Sequence, residues 1–322
     1  MRNTTNGANI KIPSLLLILL LAVALLLGCA KPAGKLPIFY AGSLTIPFAE
    51  ISDEFNKLYP DIEILAEGGG SATTIRKVTE LGRECGVVAS ADYKIIPKLM
   101  FPNYAEWYII FASNQIVLSY TEKSQYQSQV NADNWYEILL KKGVTYGRSN
   151  PDQDPCGYRT LMVWQLAEKY YKVPGIYQKL YGAAGDMMRP KSVALIALLE
   201  SGDLDYAFEY SSVAKQHNLK YVVLPEEINL SSEQFKDFYA QARVEIKGKQ
   251  PGETITLTGE TILYAVTIPS NFSNQELAIS WVEFLLSDRG MAIMEANGQR
   301  PITPATTNDA SKLPEALKRF IK

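Results

Sequence analysis

The sequence predicts an α/β protein of two lobes, and three observations carry that prediction. Short β-rich runs alternate with amphipathic helical segments, which argues for largely parallel sheets covered by helices. About 290 residues remain after Cys29, more than one typical core holds. A strong strand, Thr261–Pro269, comes back late in the chain. If it returns to the first sheet, the lobes are joined by two crossings, near Ser119 and near Glu260. Such a discontinuous arrangement is typical of hinged proteins. The expected division is 1–29 as a leader, 30–118 with 262–322 as lobe I, and 119–261 as lobe II.

The leader comes first. Arg2 and Lys11 precede an unbroken apolar run from Leu15 to Leu27, closed by Gly28-Cys29. As a helix the run spans roughly 20 Å, short of the ~30 Å hydrocarbon core of a bilayer. A basic start, a short apolar segment and a small residue before the cut fit a secretory signal. Cys directly after that small residue resembles a lipobox, where the thiol is lipidated and becomes the mature N-terminus. An uncleaved membrane anchor is the alternative. Either way the rest is expected outside the cytoplasm, tethered to the outer face of the cell membrane.

Lys35–Gly42 then reads as a strand. Leu44, Phe48, Ile51, Phe55 and Leu58 recur at helical spacing until Tyr59-Pro60-Asp61 stops them. Ile62–Ala66 is a second strand, followed by Gly68, Gly69 and Gly70 and a helix opening at Ser71. Gly86–Ala91, Tyr108–Ala112 and Gln115–Tyr120 are further strands. A helical stretch near Trp135–Lys141 leads to the strand Val144–Gly147 and the loop 149–154. A helix runs from Pro155 to about Tyr171, and another over Ser192–Leu199, stopped by Gly202. Asp205–Ser211 and Lys220–Leu224 read as strands. After Thr261–Pro269 come helices at Gln275–Leu286 and from Asp288.

Composition excludes several functions. The formal net charge is −2 with no basic stretch, so nucleic acid is not an expected partner. Beyond the leader no apolar run approaches spanning length. Only Cys85 and Cys156 follow Cys29, too few for a disulfide scaffold. The sequence gives no distance between them, so a bond in an oxidising compartment stays open. The single histidine, His217, sits in a polar segment and reads as a surface residue, which removes His-rich metal sites. There is no Gly-x-Ser-x-Gly elbow. An extracellular hydrolase or transferase is therefore a remote alternative, and the protein is expected not to be an enzyme. Trp107, Trp135, Trp164 and Trp281 are scattered along the chain, against a sugar-stacking platform.

Four helix openings share one character. Ser43 follows a strand and Gly42. Ser71 follows the glycine run. Asp154-Pro155 offers a carboxylate cap with proline at the first helical position. Ser192 precedes Val193–Leu199. Each start exposes unpaired backbone N–H groups with the positive end of the helix dipole behind them. Such starts bind anions, and the strand ends of open α/β sheets are where ligands collect. Singly each is ordinary capping. Their joint placement after strands in both lobes is the informative part.

Several stretches carry a resemblance. They are Ala41-Gly42-Ser43-Leu44, the run Gly70–Val78, Asn150 through Asp154-Pro155-Cys156-Gly157-Tyr158-Arg159, and Ser212 through His217. Together they resemble the archaeal-type tungstate/molybdate-binding proteins of ABC importers, from about Lys35 to Pro304. The resemblance implies a two-lobed, type II periplasmic-binding-protein-like fold with the oxoanion in the cleft between lobes. It implies no cofactor, a tungstate or molybdate ligand, an ABC permease as partner, and a monomer.

Residue by residue, the resemblance implies oxoanion contacts from Gly42, Ser43 and Ser71, from the helix start Asp154, Pro155 and Cys156, and from the Tyr210 hydroxyl. In this family two carboxylates also approach the metal centre of the anion. One matches Asp154. At the other place stands Ser192, which leaves either five-fold coordination or a tetrahedral anion held by donors, with the Ser192 N–H among them. Carboxylate oxygens are hard ligands that suit a hard, high-valent centre. Glu209 is not an evident replacement, because Tyr206, Phe208 and Tyr210 share one face of their strand and send Glu209 to the other. A salt-bridged or solvated carboxylate is the expectation there. Asp154 has two further readings. It accepts a proton from phosphate, which makes phosphate the competing guest and disfavours sulfate, or it simply caps its helix. Arg76 and Arg159 are expected in ion pairs. Ser90, in a stretch similar to the family's, is expected to support the site from behind, and Gly86 stands where relatives usually have Asp.

Overall fold

The computed structural model describes residues 34–250 and 252–322. The leader and lipidation readings at 1–29, Cys29 among them, lie outside the described residues. The strands in chain order are β1 (Gly34–Ala41), β2 (Ile62–Gly69), β3 (Val87–Ser90), β4 (Ile109–Ser113), β5 (Ile116–Tyr120), β6 (Tyr146–Ser149), β7 (Asp186–Arg189), β8 (Tyr206–Tyr210), β9 (Lys220–Val223), β10 (Arg243–Lys247), β11 (Thr254–Thr258), β12 (Leu263–Thr267) and β13 (Arg300–Thr307). The longer helices are α1 (Thr45–Leu58), α2 (Ser71–Thr79), α3 (Pro155–Tyr170), α4 (Gln275–Leu286) and α5 (Asp288–Ala296).

The strands form two main sheets, ordered β13-β4-β12-β3-β1-β2 and β7-β6-β8-β5-β9, and a separate β10-β11 ribbon. The late strand β12 does return to the first sheet, beside β3 and β4. The chain leaves that sheet at Asn114-Gln115, between β4 and β5, a few residues before the expected crossing at Ser119. It comes back between β11 and β12, around Glu260.

Both sheets are mixed rather than largely parallel. β1 runs parallel to β2 and β3, and β6 parallel to β7 and β8. β12 is antiparallel to β3 and β4, and β5 to β8 and β9. The two strands flanking the first crossing and the strand after the second run against their neighbours because the chain enters each lobe from the other.

Each sheet buries its own aromatic core. Phe48 of α1 meets Trp281 of α4 edge-on at 5.0 Å between centroids. In the second lobe Phe208 of β8 lies between Trp135 and Trp164, at 5.6 and 5.5 Å, both near perpendicular. Edge-to-face pairs add to plain burial in such clusters. The ribbon rests on both lobes. Gln165 of α3 pairs with the Arg243 backbone in both directions at 2.9 Å. Lys98 and Lys249, in turn, tie the ribbon to the first lobe through the Thr256 and Phe101 carbonyls.

Two local readings change. The expected helix at Ser192 starts as a 3-10 turn, Ser192–Leu195, before turning α-helical over Ile196–Ser201. Cys85 and Cys156 are both free and buried, one before β3 in the first lobe and one at the start of α3 in the second. Gly86 is glycine for space: a methyl group there would lie 2.5 Å from Leu36 and 2.9 Å from Phe272.

Candidate functional site

The parallel strands β1, β2, β6, β7 and β8 each end in a turn that opens a helix. β1 runs into the 3-10 turn Gly42–Leu44. β2 runs through Gly70, the cap of α2. β6 leads to Asp154, whose side chain accepts from the Cys156 N–H and is followed by Pro155 at the first helical position. β7 leads to Ser192, and β8 directly to the helix Ser211–Gln216. The lobes meet along these strand ends. A methyl group on Gly70 would lie 2.2 Å from the Gln153 carbonyl oxygen and 3.2 Å from Asp154 Cβ. One on Gly42 would lie 3.2 Å from Val193 Cγ2. The Thr73 N–H reaches across to the Gln153 carbonyl at 3.4 Å. The eight residues singled out from the sequence therefore gather where the lobes touch, and Ser43, Ser71, Asp154, Cys156, Ser192 and Tyr210 are all buried.

On the first lobe, Ser43 Oγ and Tyr264 OH share a hydrogen bond of 2.9 Å, and Asn114 Nδ2 donates to the same Tyr264 oxygen at 3.1 Å. The simplest proton order runs from Asn114 to Tyr264 to Ser43, which leaves Ser43 its own proton to donate. Tyr264 was not foreseen; no spacing in the sequence places β12 beside Gly42. Ser71 Oγ accepts from the Ala91 N–H at 3.0 Å and likewise keeps a proton to give. Asn114, in the first crossing, also donates to Ser212 Oγ at 2.8 Å and so ties both lobes to one side chain.

On the second lobe, Asp154 Oδ1 accepts from the Cys156 N–H at 3.3 Å and Oδ2 from the Ser192 N–H at 2.7 Å. Burial pushes this carboxyl up to about 6, against the pull of those two donors. Burial likewise holds the Cys156 thiol well above its ordinary value, helped by Glu209 and Asp154, so it is a protonated thiol and no nucleophile. The Tyr210 hydroxyl is buried with no hydrogen-bond partner, and its ring packs 5.8 Å from that of Tyr264.

Glu209 departs from expectation. The alternation along β8 holds, with Phe208 packed on Trp164 of α3. Yet the other face is neither solvent nor a salt bridge. Glu209 is wholly buried, forms no ion pair among the described residues, and both its oxygens are without hydrogen bonds. That face is covered by the Ser192–Leu195 turn, whose Leu195 packs over Gly147 of β6, and Ser192 stands beside the Glu209 carboxyl. Burial raises that carboxyl well above its ordinary value, with Asp154 adding repulsion.

The remaining residues take supporting places. Arg159 pairs with Asp92 across the lobes at 3.3 Å, and Tyr158 OH donates to the same Asp92 carboxylate at 2.5 Å. Arg76 of α2 pairs with Glu80 and also donates to the carbonyls of Asp152, Lys247 and Gly248. It thereby borders an open groove of about 980 Å³ between α2, the Asp152-Gln153 turn and the ribbon. Ser90 is buried and turns its hydroxyl onto its own loop, donating to the Asp92 carbonyl at 2.6 Å. His217, expected at the surface, is half-buried at the end of its helix. Among the described residues no group of three His, Cys, Asp or Glu side chains is placed to hold a metal ion. What converges is a set of neutral donors from two lobes around two acids. Such a set suits a desolvated anion.

Comparison with known proteins agrees with this layout. The family profile for bacterial extracellular solute-binding proteins matches residues 36–300. An uncharacterised solute-binding protein of Petrotoga mobilis is 51% identical over 290 residues, covering 90% of each chain. The molybdate/tungstate-binding protein WtpA of Pyrococcus abyssi is 40% identical over 337 residues, covering 93% of this chain and 96% of its own. Among solved structures, the periplasmic molybdate-binding protein of Azotobacter vinelandii shares the fold, with a TM-score of 0.58 at 17% identity, covering 82% of this chain and 98% of that one.

Proposed function

Since the chain belongs to the family of bacterial extracellular solute-binding proteins, we propose that it captures tungstate or molybdate between its lobes and delivers it to an ABC permease. The observation that carries this reading is the gathering of helix starts and hydroxyls from both sheets at one buried junction, where the Tyr210 hydroxyl has no hydrogen-bond partner among the described residues. The name of the Pyrococcus relative points to the same guest.

In this reading Ser43 and Ser71 donate from the first lobe, and Cys156, Ser192 and Tyr210 from the second, the Cys156 and Ser192 N–H groups being shared with Asp154, with Gly42 and Pro155 shaping the approach. Hydrogen bonds to a charged partner contribute about 1.5–3 kcal/mol each, so a handful of neutral donors replaces much of the water shell of a dianion. No Lys or Arg is required at the junction, since Arg159 is committed to Asp92. A guest touching both lobes shifts the balance of open and closed forms by its differential affinity for them. The protein performs no chemistry on the anion, acts as a monomer, and is held outside the cell by lipid on Cys29.

Phosphate is the second reading, favoured by Asp154. A buried carboxylate beside a dianion repels it unless the guest offers a proton or a metal centre, and monohydrogen phosphate offers the proton. Isothermal titration with tungstate, molybdate, phosphate and sulfate tests both readings. Tight binding of tungstate and molybdate with far weaker sulfate is expected. Preference for phosphate selects the second reading, and no heat with any of the four ends both.

A further inference from the structure

The carboxyl group of Glu209 takes no part in the hydrogen bonds and ion pairs of the junction. It is wholly buried, and neither oxygen has a well-formed hydrogen bond among the described residues. Buried polar groups without partners are few in native proteins, and each asks what completes it. The surroundings supply no cation. Its own strand brings the Tyr210 N–H. The turn at Ser192 brings a hydroxyl, and the start of α3 brings Asp154 and the Cys156 thiol. Lys191 acts on Asp154, and Arg159 is paired with Asp92.

The two acids differ in what they have left to offer. Asp154 has both oxygens engaged by backbone N–H groups, at 3.3 and 2.7 Å. Glu209 has no well-formed hydrogen bond to either oxygen among the described residues, although Ser192 and the Tyr210 N–H lie beside it. A free carboxylate beside a dianion is repulsive unless the guest contains a Lewis-acidic centre that accepts another oxygen. Six-valent tungsten and molybdenum expand beyond four oxygens. Sulfur and phosphorus in their oxoanions do not. Hard carboxylate oxygen is the right donor for such a centre.

We propose that Glu209 contacts the bound anion directly, its carboxylate oxygen adding to the tungsten or molybdenum centre and so setting the preference for these anions over sulfate and phosphate. This rests on the tungstate/molybdate reading above. The step forms one metal–oxygen bond from a carboxylate lone pair. Any proton that the buried carboxyl carries in the empty protein passes to an oxygen of the guest or to water, no electron is transferred, and the coordination number rises by one.

The test is Glu209→Gln, which keeps shape and hydrogen-bonding capacity but removes the anionic donor. Tungstate and sulfate affinities are measured by titration on wild type and variant. Wild-type binding of tungstate tests the functional reading, and the change in the tungstate-to-sulfate ratio tests the role of Glu209. The ratio is expected to fall by at least about tenfold, the loss of one charge-assisted contact. A ratio within about threefold of wild type overturns the proposal, as does wild-type protein that binds neither anion. Tungsten-edge X-ray absorption on the loaded wild-type protein provides a reading that needs no variant. More than four oxygen neighbours are expected, and a four-coordinate tungsten overturns the assignment.

Discussion

Tyr210 keeps a buried hydroxyl with no partner among the described residues to receive its proton. A buried unmade hydrogen bond costs free energy, so this group gains most from a guest at the junction. Tyr210→Phe is therefore expected to leave the melting temperature of the ligand-free protein unchanged or slightly raised. The same change should weaken tungstate affinity by about tenfold or more, the worth of one bond to a charged acceptor. Thermal melts with and without ligand check both halves, and a variant that loses stability but not affinity contradicts the role. At this scale the sequence was readable where a residue announces its own job. Asp154-Pro155 says helix start, and Asp154 does cap that helix. Glu209 was misread because strand alternation tells which face a side chain takes, not what covers that face.

Among the elements, the strand-to-helix turns carry the account, and Gly70 is the tightest of them. Its backbone, at φ −63° and ψ 135°, is open to any residue, so its being glycine reflects contact rather than conformation. A methyl group there meets the Gln153 carbonyl oxygen of the opposite lobe at 2.2 Å. Gly70→Ala is expected to hold the lobes apart, lowering tungstate affinity by about tenfold or more while each lobe keeps its fold. Small-angle scattering with saturating tungstate checks this, and a ligand-induced compaction equal to that of wild type contradicts it. Periodicity located β1, α1, β2, α2, α3, β8, β12 and α4 because each alternates or repeats over enough residues to leave a signal. It did not locate β7 or β13, where exposed and buried positions mix, nor the β10-β11 ribbon, although Arg243–Lys247 alternates exposed and buried residues strictly. Nor could spacing tell strand direction, which depends on where the chain comes from. The mixed sheets were invisible for that reason.

For the whole molecule, the two crossings matter most. They bring strand ends of two separate sheets face to face, and Asn114 in the first crossing bonds to Tyr264 on one side and Ser212 on the other. The return of β12 was legible from one strong late strand, and it is what delivers Tyr264 to Ser43. With a formal net charge of −2, the molecule does not draw anions by its overall field. In the proposed reading, recognition falls to local dipoles and to desolvation at the junction. The most direct measurement is a crystal structure of the tungstate-loaded protein with anomalous scattering collected at the tungsten edge. One strong peak is expected at the junction, within hydrogen-bond reach of Ser43 and Ser71 on one lobe and of Tyr210 and the Cys156 N–H on the other. A peak elsewhere on the molecule, or none in crystals grown with saturating tungstate, would contradict the account.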